Sequence, residues 1–170
     1  MQTNLVLKWL TAGIILVSLI LVNFSIFQKE QVLEKGTVVI LELAPVDPRS
    51  LMQGDYMALD YALARSLYQQ YWLEGKTQPS STGTLAVELD EQHRAIEARL
   101  SQGSALKPQE VLMKYHLANR ALQIGTPSYF FQEGHAERFE NARYGEFRVS
   151  SDGTALLTYL LDAEGKRIQP

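Results

Sequence analysis

The chain has 170 residues, of which 46% are apolar and 21% are charged, as in a globular protein with a hydrophobic core. It contains no cysteine, which excludes disulfides, cysteine–zinc sites and thiol catalysis. The formal net charge of −3 provides no basic surface of the kind that nucleic acid requires, so no nucleic-acid partner is expected.

The N-terminal segment has the length and composition of a transmembrane helix. Residues 9–27 carry no charge and, at about 1.5 Å per residue, nearly match a hydrocarbon core of about 30 Å. No small-residue cleavage site follows this run, so an uncleaved anchor is favoured over a cleaved signal peptide or a buried core helix. We expect residues 1–29 to form a signal anchor, residues 30–36 a polar stalk, and residues 37–170 one domain.

The orientation of the protein in the membrane is predicted from the residues on either side of the first hydrophobic segment. Lysines flank it on both sides in nearly equal number, so the positive-inside rule decides little. A short N-terminal tail ahead of a first hydrophobic segment usually stays in the cytoplasm. We therefore expect a single-pass membrane protein with residues 30–170 outside the cytoplasm.

A corner rich in turn-forming residues separates the first two predicted strands. Residues 37–44 are enriched in β-branched side chains, and residues 56–63 alternate with a period of two, so both are predicted strands. Residues 49–53 can form one helical turn. The predicted structural turn residues are Pro45, Pro48 and Gly54.

The remainder of the chain predicts a sheet with short helices. Residues 62–72 have the apolar spacing of an amphipathic helix, whose aromatic side chains are expected to pack in the core, and residues 136–142 suit a second helix. Further strands are predicted at 84–89, 94–100, 111–124, 129–132, 146–149 and 154–161. Hairpins dominate the connections, so the predicted fold is β-rich α+β, with a mainly antiparallel sheet or a partly open barrel.

Motifs of catalysis and of metal binding are missing from the sequence. The three histidines lie far apart, and neither a G-x-S-x-G elbow nor a phosphate-binding glycine loop occurs, so no metal and no cofactor is expected. Ser50 ahead of a Gly-Asp pair faintly resembles the membrane-anchored signal peptidases, and Lys114 would then be the base. A peptidase-like hydrolase that uses Ser50 or a carboxylate pair remains an alternative to the favoured non-enzymatic role.

Two polar groups are candidate binding residues. The first group lies at the corner and the second interrupts an aromatic stretch further along the chain. Each is explained either structurally, by Asx turns and ion pairs, or as a recognition surface for a peptide or membrane partner. The candidates are Asp47, Arg49, Asp55 and Tyr56 at the corner, with Glu133 and Arg143 in the second group.

The segment GDYMALDY at residues 54–61 resembles the signature of the GDYXXLXY family and matches it at every fixed position. Residues 45–49 (PVDPR), 130–134 (FFQEG) and 143–149 (RYGEFRV) are also similar to that family, and the resemblance extends over about residues 38–161. It implies a bacterial membrane-anchored protein, often encoded beside multi-pass membrane proteins, and it brings no catalytic residues.

The leading interpretation is therefore an accessory or interaction protein of an inner-membrane complex, with a multi-pass membrane protein as its partner. A small-ligand-binding barrel is a third alternative, and it would require an apolar cavity with a few converging polar groups.

Overall fold

The computed structural model describes residues 2–44, 52–53, 56–75, 79–101 and 103–169. Its helices are α1 (Gln2–Lys35), α2 (Ala62–Tyr68), which continues as a π-helical turn (Gln69–Leu73), and α3 (Ala136–Phe139). Its strands are β1 (Thr37–Glu42), β2 (Met52–Gln53), β3 (Tyr56–Ala58), β4 (Thr82–Leu89), β5 (Ala95–Leu100), β6 (Glu110–Ala118), β7 (Ala121–Ile124), β8 (Ser128–Phe130), β9 (Tyr144–Val149) and β10 (Ala155–Leu161).

Helix α1 is long and apolar enough to cross a membrane. The stretch Leu7–Lys35 has a mean hydropathy of 2.4 over its most apolar part, none of which is buried against the protein. The helix runs without a break through most of the residues predicted as a stalk and ends at Lys35, directly before Gly36. By its length and composition this helix fits a membrane anchor.

A three-stranded antiparallel sheet joins the anchor to the domain. Strand β9 lies in its centre, between β1 and β10. The register pairs Thr37 with Val149 at the end beside α1, and Glu42 with Tyr144 at the opposite end. The sheet therefore carries the chain from the end of the anchor to the far side of the domain.

The described residues form two further antiparallel sheets, which confirms the predicted β-rich α+β class. One has the strand order β5-β4-β6-β7, and the smaller one has the order β2-β3-β8. Apolar side chains of the two larger sheets meet in one core, together with α2 and α3. Its fully buried members include Val39, Leu41, Leu85, Val87, Met113, Ile124, Phe139 and Phe147.

The aromatic side chains of α2 and its π-helical turn pack in the core, as predicted. Trp72 is buried, stacks on Tyr68 at 6.1 Å between ring centroids, and meets the edge of Tyr115 at 5.8 Å. These contacts hold the helix against the four-stranded sheet.

The structure corrects three of the predicted elements. The strand predicted at 56–63 is shorter than expected: it ends at Ala58, and helix α2 begins at Ala62. Within the helical turn predicted at 49–53, Met52 and Gln53 form strand β2, which pairs with β3.

The third correction concerns residues 111–124, which form a hairpin rather than one strand. Asn119 and Arg120 make its turn with φ values of 52° and 59°, the left-handed pair that a two-residue hairpin turn needs. Neither residue is a glycine, so the usual sequence signal of such a turn is absent.

Candidate functional site

The second half of the GDYMALDY segment is built into the core. Leu59 and Tyr61 are buried, and the Tyr61 hydroxyl donates a hydrogen bond of 2.9 Å to the carbonyl of Thr126. The Tyr61 ring meets the edge of Phe147 at 5.6 Å. Burial, with the nearby charge of Asp60, raises the pKa of Tyr61 far above its ordinary value. The phenol therefore stays protonated and acts as a structural donor.

Asp60 organises the start of helix α2. Its carboxylate accepts a hydrogen bond of 2.8 Å from the backbone N–H of Tyr61 and one of 2.6 Å from Nε of Arg65. Tyr61 is the N-cap residue of α2, and no side chain among the described residues accepts a hydrogen bond from the N–H groups of the first turn, so Asp60 fixes the chain just before the helix without capping it. The Asp60–Arg65 pair is about half exposed and adds little stability.

Backbone hydrogen bonds bring three parts of the chain together beside this segment. Ala44 donates to the carbonyl of Asp60, and Leu43 donates to the carbonyl of Arg143, both at 2.8 Å. Arg143 in turn donates its N–H to the carbonyl of Leu161 at 2.8 Å. The end of β1, the residues that follow β3 and the residue that precedes β9 thus meet at one place.

A small cleft lies at this meeting point. Its volume is about 40 Å³, enough for a few water molecules or the tip of one side chain and too small for an organic ligand. The floor is apolar and the rim is polar. The floor is formed by Leu43, Met57, Leu59, Phe139 and Ala142, and the rim by Asp60, Glu140 and Arg143.

The sequence matches one protein family over most of its length. The profile of the family described as GDYXXLXY protein matches residues 18–160. The chain belongs to the GDYXXLXY family. No curated protein and no solved structure is significantly similar to it. The match begins inside α1 and ends inside β10, so it covers the end of the anchor together with the domain.

Of the three candidate binding residues that the structure of this GDYXXLXY protein describes, only Arg143 lines the cleft. Tyr56 begins β3, is half-buried, and packs its ring 5.7 Å from that of Phe130, which is 73% exposed. Arg143 is exposed at the rim of the cleft. Glu133 is exposed in a turn before α3 and does not line the cleft. The predicted residues Pro45, Asp47, Pro48, Arg49, Ser50, Gly54 and Asp55 lie outside the described residues.

Arg143 is the rim residue with the clearest capacity to bind a partner. Within the described part of the chain its guanidinium has no ion pair and no hydrogen bond, although Asp60 and Glu140 line the same cleft. An exposed guanidinium beside a small apolar floor suits a protein partner that presents an acidic side chain next to an apolar one. The sequence analysis names Arg143 as a candidate binding residue but does not name Glu140.

The lysine that the hydrolase hypothesis needs is not buried. Nζ of Lys114 lies 2.5 Å from the Asp152 carboxylate and 3.0 Å from the hydroxyl of Thr154, and its side chain is about half exposed. A lysine that serves as a general base must instead be held buried beside its nucleophile. Among the described residues, no group of three histidine or acidic side chains converges as metal ligands would.

A second charged cluster lies on the outer face of the four-stranded sheet. The Glu110 side chain is buried and accepts hydrogen bonds of 2.9 and 2.7 Å from the Arg99 guanidinium and one of 2.8 Å from the N–H of Lys107. These donors, Arg99 first, lower the pKa of Glu110 to about 2. The bidentate geometry ties the loop before β6 to β5, so the cluster has a structural role.

Proposed function

We propose that this GDYXXLXY protein is a bacterial inner-membrane protein whose periplasmic domain acts as a non-enzymatic interaction module of a membrane complex. The partner we propose is a multi-pass membrane protein. The observation that carries the proposal is the close connection between the anchor and the domain, described next.

The chain passes from the anchor into the sheet through one residue, Gly36. Its N–H donates to the carbonyl of Val32 at 2.9 Å, and its carbonyl accepts a hydrogen bond of 3.2 Å from Nη1 of Arg148 on β9. A Cβ atom on Gly36 would lie 2.4 Å from the Val32 oxygen and 3.0 Å from the nitrogen of Val149. The helix end and β9 are therefore in direct backbone contact, with no flexible linker between them.

Such a junction fixes the position and the angle of the domain relative to the membrane. A flexible Gly/Ser-type linker would be enough to keep an enzyme near the membrane. A module that must meet a partner embedded in the same membrane gains from a fixed position, because less freedom is lost on binding. The cleft with Arg143 on its rim is the proposed contact for that partner.

Photocrosslinking in membranes tests this proposal. A photoreactive amino acid replaces Ala58, which is exposed and lines the cleft, and in a matched control it replaces Glu164 in an exposed turn. We expect a crosslink to a multi-pass membrane protein from position 58 only, and its loss in Arg143→Glu. Equal crosslinking at both positions, or none at position 58, would refute the proposed contact.

The importance of the fixed junction is tested by inserting a flexible segment. Six Gly/Ser residues placed after Gly36 should abolish the crosslink from position 58 while leaving the domain folded. The same insertion after Gly103, in an exposed loop with open space around it, should leave the crosslink unchanged. Unchanged crosslinking with the insertion after Gly36 would show that the position of the domain is not what the partner needs.

A further inference from the structure

A groove runs between α1 and the turn that joins β9 to β10. It has a volume of about 460 Å³, and a second groove of about 340 Å³ continues it towards the start of β1. On the helix side the lining extends from Phe24 to Val32, and on the domain side it includes Ser150, Asp152 and Thr154. Part of the domain thus lies beside the anchor rather than beyond its end.

The height of this groove follows from the length of the apolar segment. The uncharged residues 9–27 span roughly 28 Å, which fills the hydrocarbon core. The helix residues that follow, 28–32, then span roughly 7 Å, which is about the thickness of one headgroup layer. Phe24 and Phe27 are exposed and lie at the edge of the hydrocarbon. The groove therefore lies at the level of the lipid headgroups.

The charges that line the two grooves suit a phosphate group. Lys29 and Lys35 line them on the helix side, whereas Glu30 and Glu34 do not. On the domain side the Asp152 carboxylate pairs with Lys114 at 2.5 Å and also accepts hydrogen bonds from Ser150 and Thr154. With this charge paired, the lining carries the ammonium groups of Lys29 and Lys35, which form no ion pair with any residue that the structure describes, next to an apolar patch.

We propose that the β9–β10 turn rests on the membrane surface and that glycerophospholipids occupy the groove. Their phosphates lie against Lys29 and Lys35, and their acyl chains lie against Phe24 and Phe27. This contact requires α1 to span the membrane but does not require the proposed protein partner. The domain would then be held at the membrane in two ways, by the chain connection at Gly36 and by the contact of the β9–β10 turn with lipids.

The natural absence of cysteine allows single labels to test this contact. An environment-sensitive fluorophore is placed on Ser151→Cys in the turn, on Glu30→Cys as a depth standard on α1, and on Glu164→Cys beyond the far end of β10. All three positions are exposed. The full chain is reconstituted into phosphatidylcholine vesicles that contain a phosphatidylcholine with a nitroxide on its headgroup.

We expect the label at position 151 to be quenched about as strongly as that at position 30, and several-fold more than that at position 164. Quenching at 151 as weak as at 164, with strong quenching at 30, would show that the domain stands clear of the lipids and would overturn the proposal. Weak quenching at position 30 would overturn the anchoring itself and with it this proposal. With nitroxides on Ser151→Cys instead, dipolar broadening that grows with the protein-to-lipid ratio would assign the groove to a second copy of the chain and also refute it.

Discussion

Replacement of Gly36 by alanine should weaken the junction between the anchor and the domain. The added Cβ would lie 2.4 Å from the oxygen of Val32 and 3.0 Å from the nitrogen of Val149, and both are backbone atoms that cannot rotate away. The helix end or β9 must therefore shift, and overpacking of this kind costs about 1–3 kcal/mol. Alanine regains about 0.4–1 kcal/mol by restricting the unfolded chain, which leaves a net loss of about 1–2 kcal/mol.

For a protein of this size, such a loss lowers Tm by roughly 2–8 °C. Thermal unfolding of the full chain in detergent can be followed by tryptophan fluorescence, because Trp72 is buried whereas Trp9 is exposed on α1. Gly13→Ala is the matched control, since a Cβ at that position would meet nothing within 4 Å. If Gly36→Ala and Gly13→Ala have the same Tm, the backbone approach at Gly36 is looser than described and the argument for a fixed junction fails.

Three further substitutions test the core, the charged cluster and a turn. Tyr61→Phe removes the donor to Thr126 and should cost about 1–2 kcal/mol in urea unfolding, so an unchanged midpoint would contradict its structural role. Glu110 has a folded pKa of about 2 because of Arg99, so its stabilisation is complete above about pH 4.5 and is lost as the pH falls towards 2. Glu110→Gln should therefore be less stable than the natural chain at neutral pH and lose less stability on acidification, and parallel pH profiles would refute this. Arg120→Gly removes the backbone strain of a non-glycine residue in the left-handed conformation and should raise the free energy of unfolding by about 1 kcal/mol. A lower Tm would show that the arginine side chain is needed.

Local patterns in the sequence predict most of the elements correctly. The alternation of apolar residues locates the hairpin of β4 and β5, and the Ser-Ser-Asp-Gly run locates the turn between β9 and β10. These patterns succeed because a hairpin turn and its strands are close in sequence. The hairpin of β6 and β7 is also local, but it is missed because its turn residues, Asn119 and Arg120, lack the glycine that usually marks such a turn.

The pairing of distant segments cannot be predicted from a single sequence. Strands β1 and β9 are hydrogen-bonded although more than a hundred residues separate Thr37 from Val149. This pairing brings the carbonyl of Arg143 within hydrogen-bonding distance of the Leu43 N–H and so places Arg143 at the cleft. The Arg99–Glu110 pair is similar, since both residues appear in sequence as ordinary surface charges. Sequence analysis could therefore name Arg143 as a candidate but could not say what lies beside it.

The anchor and the cleft lie at opposite ends of the same three-stranded sheet. Thr37 follows Gly36 at the membrane end of β1, and the strand rises roughly 17 Å before it reaches Glu42 and the cleft beyond it. A partner that engages Arg143 must therefore reach well above the headgroups, so it needs an ordered part outside the membrane. The lipid contact at the β9–β10 turn lies at the other end of the sheet. Arg143→Glu should consequently abolish crosslinking from position 58 without changing the quenching at position 151, and a change in both would mean that the two ends of the sheet do not act independently.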